Sequence, residues 1–142
     1  MDGHWIVFTN RGRVKPRDMF AMADFITAIS ALRHHNNGIE SGSVYIFSAT
    51  TGTQLGEFSS NEGVLFEQFG YSLAIDNGVV AVGALSTGLA YTYSASTFAR
   101  IQKLTPSTPG NAFGFSIDID GNKVVVSAPL DPINGISSGS AF

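Results

Sequence analysis

The stretch FGYSLAID, residues 69–76, decides the fold, because the chain repeats it 44 positions later as FGFSIDID, residues 113–120. The match continues without gaps from residues 79–84 to residues 123–128. Self-similarity at a fixed spacing is the sequence signature of a repeat architecture. The sequence therefore contains at least two copies of one structural unit.

A third copy precedes these two. The segment MFAMADFITAISAL, residues 19–32, is rich in residues with high helix propensity. At an offset of 53, however, residues 73–85 fall on residues 20–32, with alanines and leucines at matching positions. The repeat therefore predicts that this segment forms two strands and not a helix.

One complete unit is interpreted as four strands, at about residues 69–76, 79–84, 89–95 and 99–105. The dipeptide Asn77-Gly78 between the first two is a strong hairpin signal. Four strands in a period of 44 to 53 residues are typical of a propeller blade. The predicted fold is all-β, an incomplete β-propeller of about two and a half blades of four antiparallel strands. The blade pieces are residues 19–60, 69–105 and 113–142, and residues 1–18 are unassigned.

The composition restricts the function classes. Charged residues make up 13% of the chain and the formal net charge is −3, which argues against nucleic acid as a partner, although four of the eight basic residues lie in residues 11–17. Without cysteine the chain has no disulfide or thiolate metal site. The sequence shows no signal-peptide layout and no apolar run long enough for a membrane span.

The repeated motifs resemble those of the FG-GAP repeat family, found in integrin α-subunit propellers, over about residues 19–142. The resemblance implies a propeller that acts in adhesion or ligand binding, is extracellular or on the cell surface, and binds a protein or glycan ligand. The first copy departs from the pattern, since Pro16-Arg17 stands where Phe-Gly is expected. The motif residues are Phe69, Gly70, Gly83, Ala84, Phe113, Gly114, Ser127, Ala128 and Pro129.

These motif residues are interpreted as structural. In blade geometry the phenylalanine of Phe-Gly fills the space between neighbouring sheets. Glycine and alanine in the second motif allow two backbones to approach closely.

Calcium is the one cofactor that the resemblance implies, in the hairpin between the first two strands. Asp118, Asp120 and Asn122 present oxygen ligands at alternate positions around Gly121, as a hard cation requires. No closing carboxylate follows, and Ala74 replaces the first acid in the preceding copy. Turn formation alone also explains these residue types.

Two further motifs lack the context that catalysis or metal binding requires. Residues 135–139 match the G-x-S-x-G pattern but lie between a loop and a strand, whereas a nucleophile elbow joins a strand to a helix. His34 and His35 are adjacent, so in an extended chain they point to opposite sides and cannot readily share one metal ion. The sequence predicts no catalytic residue.

The two longer loops, residues 33–41 and 131–138, occur at the same point of the repeat and are the predicted binding surface, since function concentrates on loops held by a rigid scaffold. Three hypotheses stay open: a noncatalytic binding or adhesion module of a larger propeller, an accessory domain of a secreted enzyme, and a truncated fragment without activity. The candidate binding residues are Arg33, His34, His35, Asn36, Asn37, Glu40, Asp131 and Asn134.

Overall fold

The computed structural model describes residues 20–23, 26–32, 41–108, 110–132 and 138–142, which form strands joined by turns and one short 3-10 helix. No helix in this described part is long and apolar enough to cross a bilayer. The elements are β1 Phe20–Ala23, β2 Ile26–Ala31, β3 Ser43–Ser48, β4 Gln54–Phe58, β5 Phe69–Asp76, β6 Val79–Ala84, the 3-10 helix Leu85–Thr87, β7 Leu89–Ser94, β8 Arg100–Leu104, β9 Ile117–Asp120, β10 Lys123–Ala128 and β11 Ser140–Ala141.

The strands form three antiparallel sheets in which chain neighbours are also spatial neighbours. The first sheet has the order β1-β2-β3-β4, the second β5-β6-β7-β8 and the third β9-β10-β11. The segment with high helix propensity contains the antiparallel pair β1 and β2, with Phe20 opposite Ile29. This arrangement confirms the predicted all-β fold of propeller blades.

The hairpin between β5 and β6 follows from its turn residues. Asn77 and Gly78 both have positive φ, 45° and 73°, as a two-residue turn that matches the twist of the strands requires. The strands on either side pair in register from Asp76 opposite Val79 to Ser72 opposite Gly83. Both strands have the bounds that the repeat predicts, and β8 is one residue shorter at each end than predicted.

Two apolar cores lie between the sheets. The first core joins the first and second sheets through Val44, Ile46, Leu73 and Val82, among others. The second core joins the second and third sheets and combines small residues of the second sheet with larger ones of the third. Its members are Ala74, Ala81, Ala90, Phe113, Ile117, Ile119, Val126 and Ala128. The large side chains of the third sheet therefore pack against small side chains of the second.

The phenylalanine of each Phe-Gly motif lies between two sheets. Phe69 is fully buried in the first core, and Phe113 is buried in the second. Each contacts an aromatic ring at a centroid distance of 5.6 Å. Phe69 contacts Tyr91 of β7, and Phe113 contacts Phe142, the residue that follows β11. These contacts place an aromatic pair at the same point of both copies.

The glycines of the motifs lie where two sheets approach closely. A Cβ atom on Gly83 would collide with the carbonyl oxygen of Gly114, to which Ser72 Oγ donates a hydrogen bond of 2.8 Å. A Cβ atom on Gly70 would instead collide with the side chain of Ser30 in the first sheet. The second and third sheets are thus held by a main-chain contact in which no side chain fits.

The remaining motif residues end the second strand of their sheets. Ala84 and Ala128 are fully buried, and Ser127 accepts a 3.2 Å hydrogen bond at its carbonyl oxygen from Gly114 N. Ser127 Oγ also accepts a bond of 3.0 Å from Ser116 N. Pro129 follows the end of β10 and is exposed.

We expect Gly114→Ala to destabilise the protein strongly. The new Cβ would lie 2.7 Å from the Leu89 carbonyl oxygen and 3.2 Å from Ala84 N, both main-chain atoms. Overpacking of this kind costs about 1–3 kcal/mol. The left-handed backbone, with φ 88°, adds about 1 kcal/mol for a residue with a Cβ. Urea denaturation measures the change in the free energy of unfolding.

Gly121→Ala is the matched control. Gly121 is also left-handed, with φ 57°, but its Cβ would have no atom within 4 Å, so only the backbone cost of about 1 kcal/mol applies. Equal losses of stability in the two variants would contradict the importance of the contact between the second and third sheets.

Candidate binding surface

Three connections meet at one end of the second and third sheets. Because consecutive strands are antiparallel, the connection 85–88 and the described parts of two further connections, residues 105–108 with 110–116 and residues 129–132 with 138–139, lie at the same end of the sheets, which we call the loop end. The second and third of these contact each other directly, since Leu130 N donates a 3.1 Å hydrogen bond to the Asn111 carbonyl oxygen. Rigid sheets thus hold the connections in a fixed relative position.

An open apolar groove of about 640 Å³ lies between these connections. None of the described residues that line it is charged, and Phe115 and Leu130 expose about half of their side chains to solvent. The lining consists of Leu85, Ser86, Thr87, Gly88, Gly110, Ala112, Phe115, Pro129 and Leu130. Exposed apolar surface concentrated at one place marks candidate interaction sites.

The hydroxyl groups in the groove are already engaged. Ser86 Oγ donates a 2.8 Å hydrogen bond to Gln68 Oε1, and Thr87 Oγ1 donates one of 3.1 Å to the Ala84 carbonyl oxygen. The lining residues include no acid, base or histidine that could activate them. The groove is therefore suited to contact and not to proton transfer.

Of the predicted binding residues, the structure describes only one. Asp131 is fully buried at the base of its loop, where its main-chain carbonyl oxygen accepts hydrogen bonds from Gly139 N and Ser138 Oγ, both at 3.0 Å. Its carboxylate is therefore not presented at the surface. The other predicted binding residues, which are Arg33, His34, His35, Asn36, Asn37, Glu40 and Asn134, lie outside the described residues. The predicted role of these two loops stays a prediction.

The acidic hairpin residues are described by the structure, and their calcium site stays a prediction. Asp118 and Asp120 are both exposed on one side of β9, and Asp118 Oδ1 accepts a 2.9 Å hydrogen bond from Ile119 N. The neighbouring carboxylate, Asp76, accepts a 2.7 Å hydrogen bond from Gly121 N at the turn that precedes Asn122. Within the described residues no group of three or more acids or histidines is placed to hold a metal ion.

A buried carboxylate that sequence reasoning missed lies in the connection between the first and second sheets. Glu67 is fully buried and accepts hydrogen bonds from Ser60 Oγ and, at 3.0 Å, from Tyr91 Oη. Burial raises the pKa of Glu67 above its ordinary value, and it raises the pKa of Tyr91 as well. The signal in the sequence was an acid next to three consecutive apolar residues, two positions before Phe-Gly.

The same connection is held at its other end by charge pairs. Glu62 accepts hydrogen bonds from Arg100 at 2.8 Å and pairs with Lys103 at 3.1 Å, and Arg100 also donates a bond of 3.2 Å to the Ser60 carbonyl oxygen. Hydrogen bonds from Lys103 and, to a smaller extent, from Arg100 lower the pKa of Glu62. Residues 62 and 67 therefore anchor the short segment between them from both sides.

The anchored segment exposes three consecutive apolar side chains. Val64, Leu65 and Phe66 are 39%, 54% and 53% exposed. Phe66 has a left-handed backbone, with φ 56°, which is uncommon for a bulky residue. A run of exposed apolar residues on a fixed loop is unfavourable in water unless it contacts something else.

The described residues form two four-stranded sheets and one three-stranded sheet, which pack face to face in chain order. This arrangement defines a propeller-type repeat protein. The FG-GAP repeat model matches residues 98–142, which confirms the resemblance over that part of the chain. No curated protein has a sequence that matches this chain.

Solved structures agree with the fold. A chain of a europium-containing methanol dehydrogenase is similar with a TM-score of 0.55 and 15% identity, over 84% of this chain and 21% of that one. This chain thus spans about a fifth of the dehydrogenase chain, and at such identity the likeness concerns the fold alone. The computationally designed Ika8 protein has a TM-score of 0.36 and 12% identity, over 86% of this chain and 43% of that one, a score below the level at which a shared fold follows.

We expect Glu67→Gln to stabilise the protein relative to the natural chain as the pH rises from about 4 to about 7. Since burial raises the pKa of Glu67, the folded state holds this proton more tightly than the unfolded chain does. The stabilisation is fully present below the ordinary pKa of 4.5 and is lost as the pH rises through the raised pKa. Glutamine keeps an acceptor but does not titrate. Urea denaturation at several pH values measures the difference.

Glu62→Gln is the control, for which we expect the opposite pH dependence of stability. The lowered pKa of Glu62 gives a stabilisation that is present above the ordinary value and is lost as the pH falls through the lowered pKa. This variant should therefore be less stable than the natural chain at neutral pH. In acid, the free energies of unfolding of the two proteins should become equal. The same pH trend in both variants would contradict the two environments described above.

We expect calcium to leave the thermal unfolding temperature unchanged. At about 1 mM, where weak extracellular calcium modules are loaded, the melting temperature should equal that in a chelator. Differential scanning fluorimetry measures it. A calcium-dependent rise that Asp118→Asn abolishes would contradict the poor fit of the hairpin.

Proposed function

We propose that this chain is a noncatalytic binding module, part of a larger propeller on the cell surface or outside the cell, and that it binds a protein or glycan ligand with its loop end. The observation that carries the proposal is the charge-free groove between the connections of the second and third sheets. The FG-GAP repeat match at residues 98–142 supports the assignment to a larger propeller, and the binding role is what the resemblance to this family implies.

The chemistry of the groove favours binding over catalysis. Its hydroxyl groups donate to neighbouring groups of the protein, and its lining residues provide no partner for general acid–base catalysis. Its apolar walls gain free energy when a ligand removes them from water, at about 25 cal/mol per Å² of apolar surface. No metal ion or organic cofactor takes part in this proposal.

The rival interpretation makes the chain an accessory domain of a secreted enzyme. In that case the binding surface would serve to hold a substrate near a catalytic domain encoded elsewhere in the same gene. The flanking coding sequence distinguishes the two. Further repeats on both sides support the binding propeller, and a catalytic domain beside the repeats supports the rival.

We expect Leu130→Ser to weaken ligand binding about tenfold. Leu130 is 54% exposed in the groove, so the substitution removes apolar contact area with little effect on the core. Removing an apolar contact of this kind weakens binding by about tenfold. The measurement is binding of the purified chain to arrays of glycans and of secreted and cell-surface proteins.

Val125→Ser is the matched control for this measurement. Val125 is 52% exposed, but it lies on β10, outside the groove. This variant should bind the same array members as the natural chain does. Equal losses in both variants, or no binding by the natural chain, would contradict the proposed function.

A further inference from the structure

A run of consecutive exposed residues, 61–66, connects the first sheet to the second, and we call this run the strap. The residues on either side of the strap are buried, since Ser60 is 3% and Glu67 is 0% exposed. Ser60 Oγ donates a hydrogen bond to the Glu67 carboxylate, which joins the two ends of the strap. The closed strap is thus a loop whose base is held by a buried carboxyl group.

The start and the end of the strap are attached to the second sheet by different groups. At the start, Glu62 pairs with Arg100 at 2.8 Å and with Lys103 at 3.1 Å, and both basic residues belong to β8. At the end, Glu67 accepts a 3.0 Å hydrogen bond from Tyr91 Oη of β7. Loss of the Glu67 contacts would therefore free the end of the strap and leave its start in place.

The Glu67 carboxylate has hydroxyl donors but forms no ion pair with a basic side chain of the described residues. The charge of Lys103 favours the ionised form of Glu67, but Lys103 is engaged by Glu62, whose negative charge opposes that form. Arg100 also pairs with Glu62, and its guanidinium group lies 5.8 Å from the centre of the Tyr91 ring. A buried carboxylate without a cation of its own is unfavourable.

Within this group of described residues, Glu67 is the side chain that changes its charge between weakly acidic and neutral pH. Burial raises the pKa of Glu67 above its ordinary value of 4.5. The hydrogen bond from Lys103 lowers the pKa of Glu62, and burial raises the pKa of both Tyr91 and Tyr93. Glu62 therefore stays ionised and the two tyrosines stay neutral while Glu67 titrates.

The third sheet shows that the turn before Phe-Gly does not require an ionisable residue. Asn111 occupies the equivalent position, 44 residues after Glu67, and is 1% exposed. Its Oδ1 accepts a 3.1 Å hydrogen bond from Phe113 N. A neutral amide thus serves at the same point of the repeat, so the titratable group at position 67 is a property of this connection and not of the repeat.

The closed strap also has an unfavourable backbone. Asn61, Gly63 and Phe66 are left-handed, with φ of 59°, 67° and 56°. Residues with a Cβ atom adopt this conformation at an energetic cost, which persists only where surrounding contacts outweigh it. The end of the strap therefore relaxes when the contacts of Glu67 are lost.

We propose that Glu67 is a pH-sensitive switch that opens the end of the strap, residues 63–66, when its carboxyl group loses its proton to solvent. The open strap remains attached at Glu62, and the Glu67 carboxylate gains the hydration that its charge requires. The strap is closed below the ordinary pKa of 4.5 and opens as the pH rises through the raised pKa of Glu67. The connection between the first two sheets thus responds to pH while the sheets stay folded.

Nuclear magnetic resonance relaxation of the isotopically labelled chain, at about pH 4.5 and about pH 8, tests this proposal. The backbone order parameters of residues 63–66 should be about 0.85 at the lower pH and below about 0.6 at the higher pH. The order parameters of β6 and of Glu62 should be about 0.85 at both. The carbon signal of the Glu67 carboxyl group should titrate with the same midpoint as the opening of the strap.

Two neutral variants at position 67 make the test specific. Glu67→Gln should keep residues 63–66 rigid at both pH values, because glutamine accepts hydrogen bonds but does not titrate. Glu67→Asn introduces the residue that the third sheet has at this point, and it should behave in the same way. It keeps the test valid if glutamine fails to pack.

The matched control removes the rival titrating groups. His34 and His35 titrate in the same pH range and precede Ser41, whose carbonyl oxygen accepts a 3.0 Å hydrogen bond from Phe69 N. The double variant with His34→Gln and His35→Gln should open its strap with the same pH dependence as the natural chain does.

Opening in the natural chain and in the histidine variant, together with a rigid strap in the variants at position 67, supports the proposal. A strap that is rigid at both pH values in the natural chain would overturn it. Opening that persists in the neutral variants, or that the histidine variant abolishes, would assign the pH dependence to another group. Loss of order in β6 together with the strap would show unfolding of the sheet, which also contradicts a local switch.

Discussion

Each sheet meets its neighbour at a point where main chain contacts main chain. Between the second and third sheets Gly83 faces the carbonyl group of Gly114, and between the first and second sheets Gly42 faces the main chain of Phe69. Neither contact leaves room for a Cβ atom, so the distance between sheets is set by backbone size. Apolar side chains then fill the space on both sides of this contact. The cores can vary in composition as long as the glycines keep the sheets together.

This constraint also determines where the loop end lies. Gly114 directly follows Phe113, which is buried in the second core, so the chain that arrives from β8 must turn sharply just before it. The left-handed residues 110 and 112 make that turn, and they border the groove. The position of the groove therefore depends on the contact between the sheets and not on the loop residues alone. A partner would bind to a surface whose geometry is fixed before binding, which lowers the entropic cost of association.

Much of this architecture could be predicted from the sequence because its determinants are local or repeated. The bounds of β5 and β6 follow from the repeat and from the turn signal Asn77-Gly78. The strands in residues 20–31 followed from alignment with another copy, since helix propensity alone gave the wrong answer there. What could not be predicted depends on partners distant in the chain. Glu67 is bound by Tyr91, 24 residues later, and the groove requires three connections to meet.

The differences between copies are as informative as the matches. Glu67 and Tyr91 form a buried hydrogen bond in the second sheet, and the equivalent positions in the third sheet hold Asn111 and Phe142. Phenylalanine has no hydroxyl group, and Asn111 Nδ2 has no partner among the described residues. The ring contact with the motif phenylalanine is nevertheless the same in both copies, 5.6 Å. The repeat thus keeps its packing and varies its polar groups.

The connections vary further, from Phe66 to Gly110, with little change of backbone geometry. Because the sheets tolerate this variation, each pair of neighbouring sheets can present a different surface at the same end. Such a scaffold can acquire a specific ligand at one pair of sheets while the others serve only to hold that pair in place.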